Sequence, residues 1–336
     1  MILITCTIAS FATQSGAHHI SLLEASAENE GESSFDERIL VPLKNPETIE
    51  ELVNMGVTIR SKGNKSGLYA LKILNNSVDD WAAEKQAKDV LSKAQVTASA
   101  TDTKLNQLLR YDNNVVSGIT NVVKEHKITD IILGLHNKKG LTGSFLGNLS
   151  EGVLMRCIAT TYIYRPTQPL ATIKRHLVIV PPNAERVIGF ILWVNKVLNI
   201  SRNTGSKLVF YGADQTLDII RKHLKKNAYD AEFKEFSEWE DFLILSREVH
   251  ENDNLVIVLS RKEHISYNNE MARIPVFLNK YFQNNSYLLI YPIQRGMESE
   301  VEGIDLNNPS MTDPLRTNIE IIDDLGKSIS KIFKKR

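Results

Sequence analysis

Apolar residues along this chain alternate between two patterns: short continuous runs, and longer stretches in which they recur at every third or fourth position. The first pattern marks buried strands and the second marks amphipathic helices. Arg38–Leu43 (RILVPL) is such a run, and Pro46 then stands where a helix would begin, with Ile49, Leu52, Val53 and Val57 at helical spacing. After the polar stretch RSKGNKSG comes a second strand, Leu68–Leu74 (LYALKIL), then a helix over Asp79–Gln95 and a strand over Thr103–Tyr111 (TKLNQLLRY). Asp112 or Asn113 is placed to cap the next helix, whose Val115, Val116, Ile119, Val122 and Val123 form one apolar face. Ile128–Leu135 reads as the fourth strand and Ile158–Arg165 (IATTYIYR) as the fifth. Strands alternating with helices predict a parallel, doubly wound sheet with helices on both faces.

The order then starts again. Arg175–Pro181 (RHLVIVP) echoes Arg38–Pro42 (RILVP), and a tandem repeat of one fold accounts for it. The second unit has a helix carrying Val187, Ile188, Ile191, Leu192 and Val194, the strand KLVFYG, and a helix with Leu217, Ile220 and Leu224. AEFKEF, a helix holding Trp239, Phe242 and Leu243, the fourth strand NLVIVLS and the closing strand SYLLIYP complete it. The expected class is α/β, two tandem doubly wound parallel-sheet domains over residues 37–168 and 173–292.

One stretch carries candidate chemistry. In Ile131–Leu154 (IILGLHNKKGLTGSFLGNLSEGVL) a buried strand meets a loop bearing Gly134, Gly140, Gly143 and Gly147, and a helix follows with Leu149, Val153 and Leu154 on one side. Glycine after a parallel strand lets backbone N–H groups approach a ligand, and a helix N-terminus favours an anion such as phosphate. The plain alternative is a tight strand-to-helix turn with no ligand. His136 sits inside the loop, as a ligand contact or as a solvated side chain. The second unit has no glycine between Gly212 and Gly296, so its loop SRKEHISYNNEMARIP lacks a phosphate cradle; packing, partner contact or relay is the expected task there.

Composition removes several classes. Forty basic residues balance forty acidic ones, which leaves no global field for nucleic acid, and Arg221, Lys222, Lys225 and Lys226 read as a solvated helix face. Cys6 and Cys157 stand far apart without CxxC spacing, as expected in a reducing compartment. The chain contains no Gly-x-Ser-x-Gly elbow, no HExxH and no Gly-x4-Gly-Lys-Ser/Thr loop, and its eight histidines are scattered, so neither an enzyme nor a metal site is expected. Residues 1–13 (MILITCTIASFAT) carry no charge but are shorter than the roughly 20 residues of a bilayer span. They read as the end of a membrane helix or as an N-terminal strand or leader. Residues 14–36 form an acidic, serine-bearing linker, and the tail, 293–336, holds an amphipathic helix of Ile322, Leu325, Ile329, Ile332 and Phe333. That helix would dock on the body of the protein or on a membrane surface or partner.

Gly134, Asn137, Gly147 and Asn148 follow the spacing Gly-x2-Gly-x9-Gly-Ser/Thr, with asparagine at the second glycine and at the hydroxyl position. The loop resembles the nucleotide loop of the universal stress protein (Usp) superfamily, and RILVPLKNPET resembles that superfamily's opening strand and turn. The resemblance implies a Usp-like, Rossmann-like fold. RILVPLKNPETIEEL, LRYDNNVVSGITNVVKEH and TDIILGLHNKKG further resemble the tandem Usp-like cytoplasmic region of bacterial cation:proton antiporters of the monovalent cation:proton antiporter-2 type. This implies a regulatory module on the cytoplasmic side of the inner membrane, joined in cis to a Na+/H+ or K+/H+ antiporter. A free-standing cytoplasmic tandem Usp protein and a non-binding assembly platform are the alternatives. The implied site places Lys44 where the superfamily has an acid against the nucleoside, Ile73 against the base, and Gly134, Asn137, Gly147 and Asn148 at the phosphates, with Pro42, Leu43, His136 and Leu149 beside them. ATP, ADP or AMP is the implied ligand, and Lys44 reverses the usual charge. Usp domains dimerise through their fifth strands, so IATTYIYR and SYLLIYP are expected to pair within the chain, or the chain to form a homodimer.

Overall fold

The computed structural model of the chain describes residues 37–64, 67–75, 81–135, 145–261 and 264–293. The apolar leader, the linker up to residue 36, loop positions His136, Asn137, Gly140 and Gly143, and the tail helix lie outside the described residues. Among the described residues no helix is long and apolar enough to cross a membrane.

The first half runs β1 (Ile39–Pro42), α1 (Ile49–Ile59), β2 (Leu68–Leu74), α2 (Trp81–Ser99), β3 (Leu105–Tyr111), α3 (Val115–Glu125), β4 (Asp130–Gly134), α4 (Gly147–Arg156) and β5 (Thr160–Arg165). The second runs β6 (Arg175–Ile179), α5 (Phe190–Thr204), β7 (Lys207–Gly212), α6 (Asp214–Lys226), β8 (Glu232–Glu235), β9 (Asp253–Val258), α7 (Ile274–Tyr281) and β10 (Ser286–Tyr291). The ten strands of the described residues form one sheet in the order β3-β2-β1-β4-β5-β10-β9-β6-β7-β8. Each half is parallel within itself, as helical crossovers require. The halves meet where β5 and β10 pair antiparallel, with Thr161 opposite Tyr291 and Arg165 opposite Tyr287. The expected pairing of the two fifth strands is therefore present within the chain.

Buried side chains pack on both faces of the sheet. One core includes Leu52 and Val53 of α1, Val90 of α2, Trp193 and Val197 of α5, and Leu217 and Ile220 of α6. The other includes Ile119 and Val122 of α3, Val153 of α4, Phe277 of α7, and Trp239 and Phe242.

Three local expectations need correction. Asn114, rather than Asp112 or Asn113, caps α3: its Oδ1 accepts from the N–H groups of Val116 (2.9 Å) and Ser117 (3.2 Å). Asp112 instead accepts the N–H of Asn114, fixing the turn one residue later. The helix after β6 begins at Phe190, because Pro181, Pro182 and a 3-10 turn at Ala184–Arg186 occupy the chain first, so Val187 and Ile188 precede it. Its buried stripe is Phe190, Trp193, Val194, Val197 and Leu198. The segment holding Trp239, Trp239–Arg247, is 3-10 rather than α-helical, with Trp239, Phe242 and Leu245 buried at its three-residue period.

On one face α1 and α5 bring the halves together, where Asn199 donates to the Ile59 carbonyl (3.1 Å) and Asn203 to that of Thr58 (2.8 Å). Lys196 of α5, buried, forms an ion pair with Glu37 and lies 3.7 Å from Asp130. Glu37 also accepts from the Ser61 N–H (3.0 Å) and from Asn64 (2.9 Å). Burial raises the Asp130 carboxyl to about 6 and presses the Lys196 ammonium down to about 7.

Candidate functional site

In open parallel sheets the crevice for ligands lies beyond the carboxyl ends of the strands. Here a cavity of about 480 Å³ opens at the ends of β1 and β2 and the starts of α3 and α4. Its apolar wall is Pro42, Leu43, Leu71, Ile73, Val115, Val116 and Leu149, and its polar groups come from Lys44, Lys72, Asn113, Asn114 and Asn148. Among the described residues no carboxylate lines it.

Lys44 is exposed, whereas Lys72 is half-buried and donates to the Lys44 carbonyl (3.4 Å). Burial, and secondarily the charge of Lys44, hold the Lys72 ammonium below the usual lysine range. The two helix starts differ. Asn114 already satisfies the first N–H groups of α3, while α4 begins at Gly147 with no side-chain cap. Among the described residues no side chain takes up the first N–H groups of α4, which carry the partial positive charge of a helix start.

Of the residues singled out from the sequence, Pro42, Leu43, Lys44, Ile73, Asn148 and Leu149 line this cavity together. His136 and Asn137 lie outside the described residues. Gly134 is not a lining residue: a Cβ there would stand 2.9 Å from Leu52 Cδ1, so its missing side chain makes room for α1. Gly147 has φ +76 with open space around it, a left-handed start that glycine adopts without strain. Leu71, Lys72, Asn113, Asn114, Val115 and Val116 also line the cavity without having been singled out for it. Lys72 was detectable in principle, as a lone cation inside the apolar run LYALKIL.

The strand ladders align the halves residue by residue. Ile39 and Asp130 are paired in the first half as His176 and Asn254 are in the second. Leu135 donates its N–H to Tyr164 as Leu259 does to Ile290. Gly134 thus corresponds to Val258, and Lys44 to Pro181; the echo of RILVP in RHLVIVP is offset, with Pro42 matching Ile179. Beyond Val258, the Ser260 N–H is taken by the thioether of Met271 (3.4 Å). Behind Trp239, Phe242 stacks on Phe277 (centroids 6.1 Å apart) and meets Phe282 edge-on (5.9 Å). Arg261 is drawn inward to the carbonyls of Pro292 (2.9 Å) and Leu154 (3.2 Å).

No protein-family model matches the chain, and no curated protein sequence is significantly similar to it. Solved structures resemble it to different extents. A universal stress protein from Archaeoglobus fulgidus superposes with a TM-score of 0.50 at 14% identity, over 77% of this chain and 97% of that one. The cytoplasmic domain of a prokaryotic cation chloride cotransporter gives 0.49 at 12% identity, over 80% and 98%. The universal stress protein UspA from Lactobacillus plantarum is matched by 39% of this chain at 18% identity, with a TM-score of 0.31. The fold is the Usp-like, Rossmann-like α/β fold that the sequence predicts.

Proposed function

We propose that the chain is a regulatory module that senses a small anion with an apolar body, a nucleotide above all, in the cavity of its first half. The observation that carries this reading is the composition of the cavity. Apolar walls suited to a base stand beside two lysines and a helix start, and among the described residues no side chain caps that start and no carboxylate is there to repel phosphate. The regulated partner we propose is a cation:proton antiporter domain joined in cis on the cytoplasmic side of the membrane, a reading supported by the sequence resemblance.

A path from ligand to partner lies in β1. Its carboxyl end supplies Pro42, Leu43 and Lys44 to the cavity, and its amino end follows Glu37, which Lys196 holds. A ligand that pulls on Lys44 therefore acts on the strand through which the preceding linker enters the fold.

Calorimetric titration of the full chain with ATP, ADP and AMP, with and without Mg2+, tests the reading. Micromolar binding that Gly147→Val abolishes while circular dichroism stays unchanged is the expected result. Absence of heat with every nucleotide, from folded protein, overturns it. The partner is tested separately: antiport in vesicles from cells producing the module joined to its membrane domain should change with nucleotide, and indifference would remove the regulatory role.

A further inference from the structure

Lys196 stands between two acids. It belongs to α5 in the second half, and both carboxylates belong to the first: Glu37, immediately before β1, and Asp130, which opens β4. None of the three exposes more than 7% of its surface. The two acids are not equally provided for. Glu37 forms the ion pair with Lys196 and accepts from the Ser61 N–H (3.0 Å), the Ser61 hydroxyl (3.2 Å) and Asn64 (2.9 Å). Asp130 accepts from the Thr129 hydroxyl (2.6 Å), faces the buried Tyr162 of β5, and has the Lys196 ammonium only at 3.7 Å. Of the cations on adjoining elements, Arg38 donates to the His126 carbonyl (2.9 Å). Arg60, at the end of α1, keeps its Nε and Nη1 buried without a hydrogen-bond partner among the described residues.

With Lys196, Glu37 and Asp130 all ionised, one negative charge in this dry cluster has no cation of its own, a state that burial penalises heavily. A proton on Asp130 removes the excess and leaves Glu37 and Lys196 as a matched pair. Burial acts on both groups in the sense this requires, lifting the Asp130 carboxyl and lowering the Lys196 ammonium. Loss of a proton from either one weakens the same contact. An ionised Asp130 competes with Glu37 for the ammonium, and a neutral Lys196 pairs with neither acid. We propose that the cluster is a proton-operated latch: protonated, it fastens Glu37 to α5 of the other half, and deprotonated, it releases Glu37. Because Glu37 is where the preceding linker joins the fold, acidity sets how firmly that junction is held. The latch lies at the opposite end of β1 from the cavity, and it is independent of any nucleotide.

The Ser61 N–H, donated to the Glu37 carboxylate, makes the latch measurable. Amide hydrogen exchange of the full chain is followed without nucleotide from about pH 5.5 to 8.5 and corrected for the intrinsic pH dependence of exchange. Peptides covering residues 37–43 and 59–64 are expected to lose about tenfold in protection across that range, the worth of one charged hydrogen bond, while β5 and β10 keep theirs. Asp130→Asn cannot compete for the ammonium, so the loss should move to higher pH, where Lys196 alone releases its proton. Lys196→Met should leave both peptides poorly protected at every pH, with wild-type circular dichroism. Should that variant fail to fold, Lys196→Arg, which stays charged throughout, should keep them protected at every pH. Wild-type protection that does not change with pH overturns the proposal. So does a profile that Asp130→Asn leaves in place, or a pH-dependent loss that survives in Lys196→Met or Lys196→Arg. None of these outcomes bears on the nucleotide reading.

Discussion

The carboxyl ends of β1 and β2 open on a cavity, whereas the end of β9 is closed by Met271 and the face behind it is filled by Trp239, Phe242 and Phe277. Both half-sheets have the same strand order, so topology offers a crevice in each. The side chains at the corresponding positions differ. Where the first half has Lys44 and a capped α-helix after β3, the second has Pro181 and a 3-10 run led by a tryptophan. The ladders expose a second contrast inside the sheet. Ile39 and Asp130 stand where the other half has His176 and Asn254, whose side chains bond each other at 3.0 Å. One half thus buries an acid facing Lys196, and the other buries a neutral imidazole.

Substitutions can break that comparison, beginning with the core. Phe242→Ala should lower stability by about 3–5 kcal/mol, the usual loss for a large buried ring, while Leu149→Ala at the cavity wall should lose only about 1 kcal/mol. Equal losses in chemical denaturation would mean that the second half is no better filled than the first. Next comes pH. Burial holds the His176 imidazole down at about 4, against 6.5 in the unfolded chain. As pH falls through that window the unfolded chain takes a proton that the fold refuses, so stability should drop by up to about 3 kcal/mol. His176→Gln should flatten this dependence. Asp130 works in the opposite sense: with its carboxyl raised to about 6, the fold gains protons before the unfolded chain does, and stability rises as pH falls from about 6 to 3.8. Asp130→Asn should therefore steepen the acid loss, and thermal melts across this range would reveal either sign. Gly134→Ala should cost about 1–3 kcal/mol by pressing on Leu52, and this cost should shrink when it is measured in a Leu52→Ala background. Smallest of all, Lys44→Met should alter stability by no more than about 0.5 kcal/mol, and a larger change in the melting curve would make Lys44 a structural residue.

Much of this was legible because apolar runs and helical stripes report burial directly. The order of elements along the chain and the repeat follow from that signal, whereas the pairing of IATTYIYR with SYLLIYP and the placing of Leu43, Ile73 and Leu149 at the site follow from the resemblance to the Usp superfamily. What periodicity misses is set by local competition or by distant neighbours. Whether Asp112, Asn113 or Asn114 caps α3 depends on which side chain the turn points at Val116 and Ser117. Gly134 resembles a ligand glycine in the sequence, yet the space it leaves is used by Leu52. Lys196 reads as one polar position on a helix, and its two carboxylate neighbours lie in the other half of the chain.

The seam between β5 and β10 also bears on how the chain is made. Arg165 at the end of β5 contacts the carbonyl of Asn285, 120 residues later. At about 5–20 residues per second on the ribosome, β5 leaves with its outer edge bare for several seconds before β10 exists. During that interval a neighbouring nascent chain offers the same pairing. Synthesis rate and polysome crowding thus enter the yield of chains whose β5 and β10 close on each other, and slowing translation between Arg165 and Ser286 should raise the fraction of chains that exchange these strands.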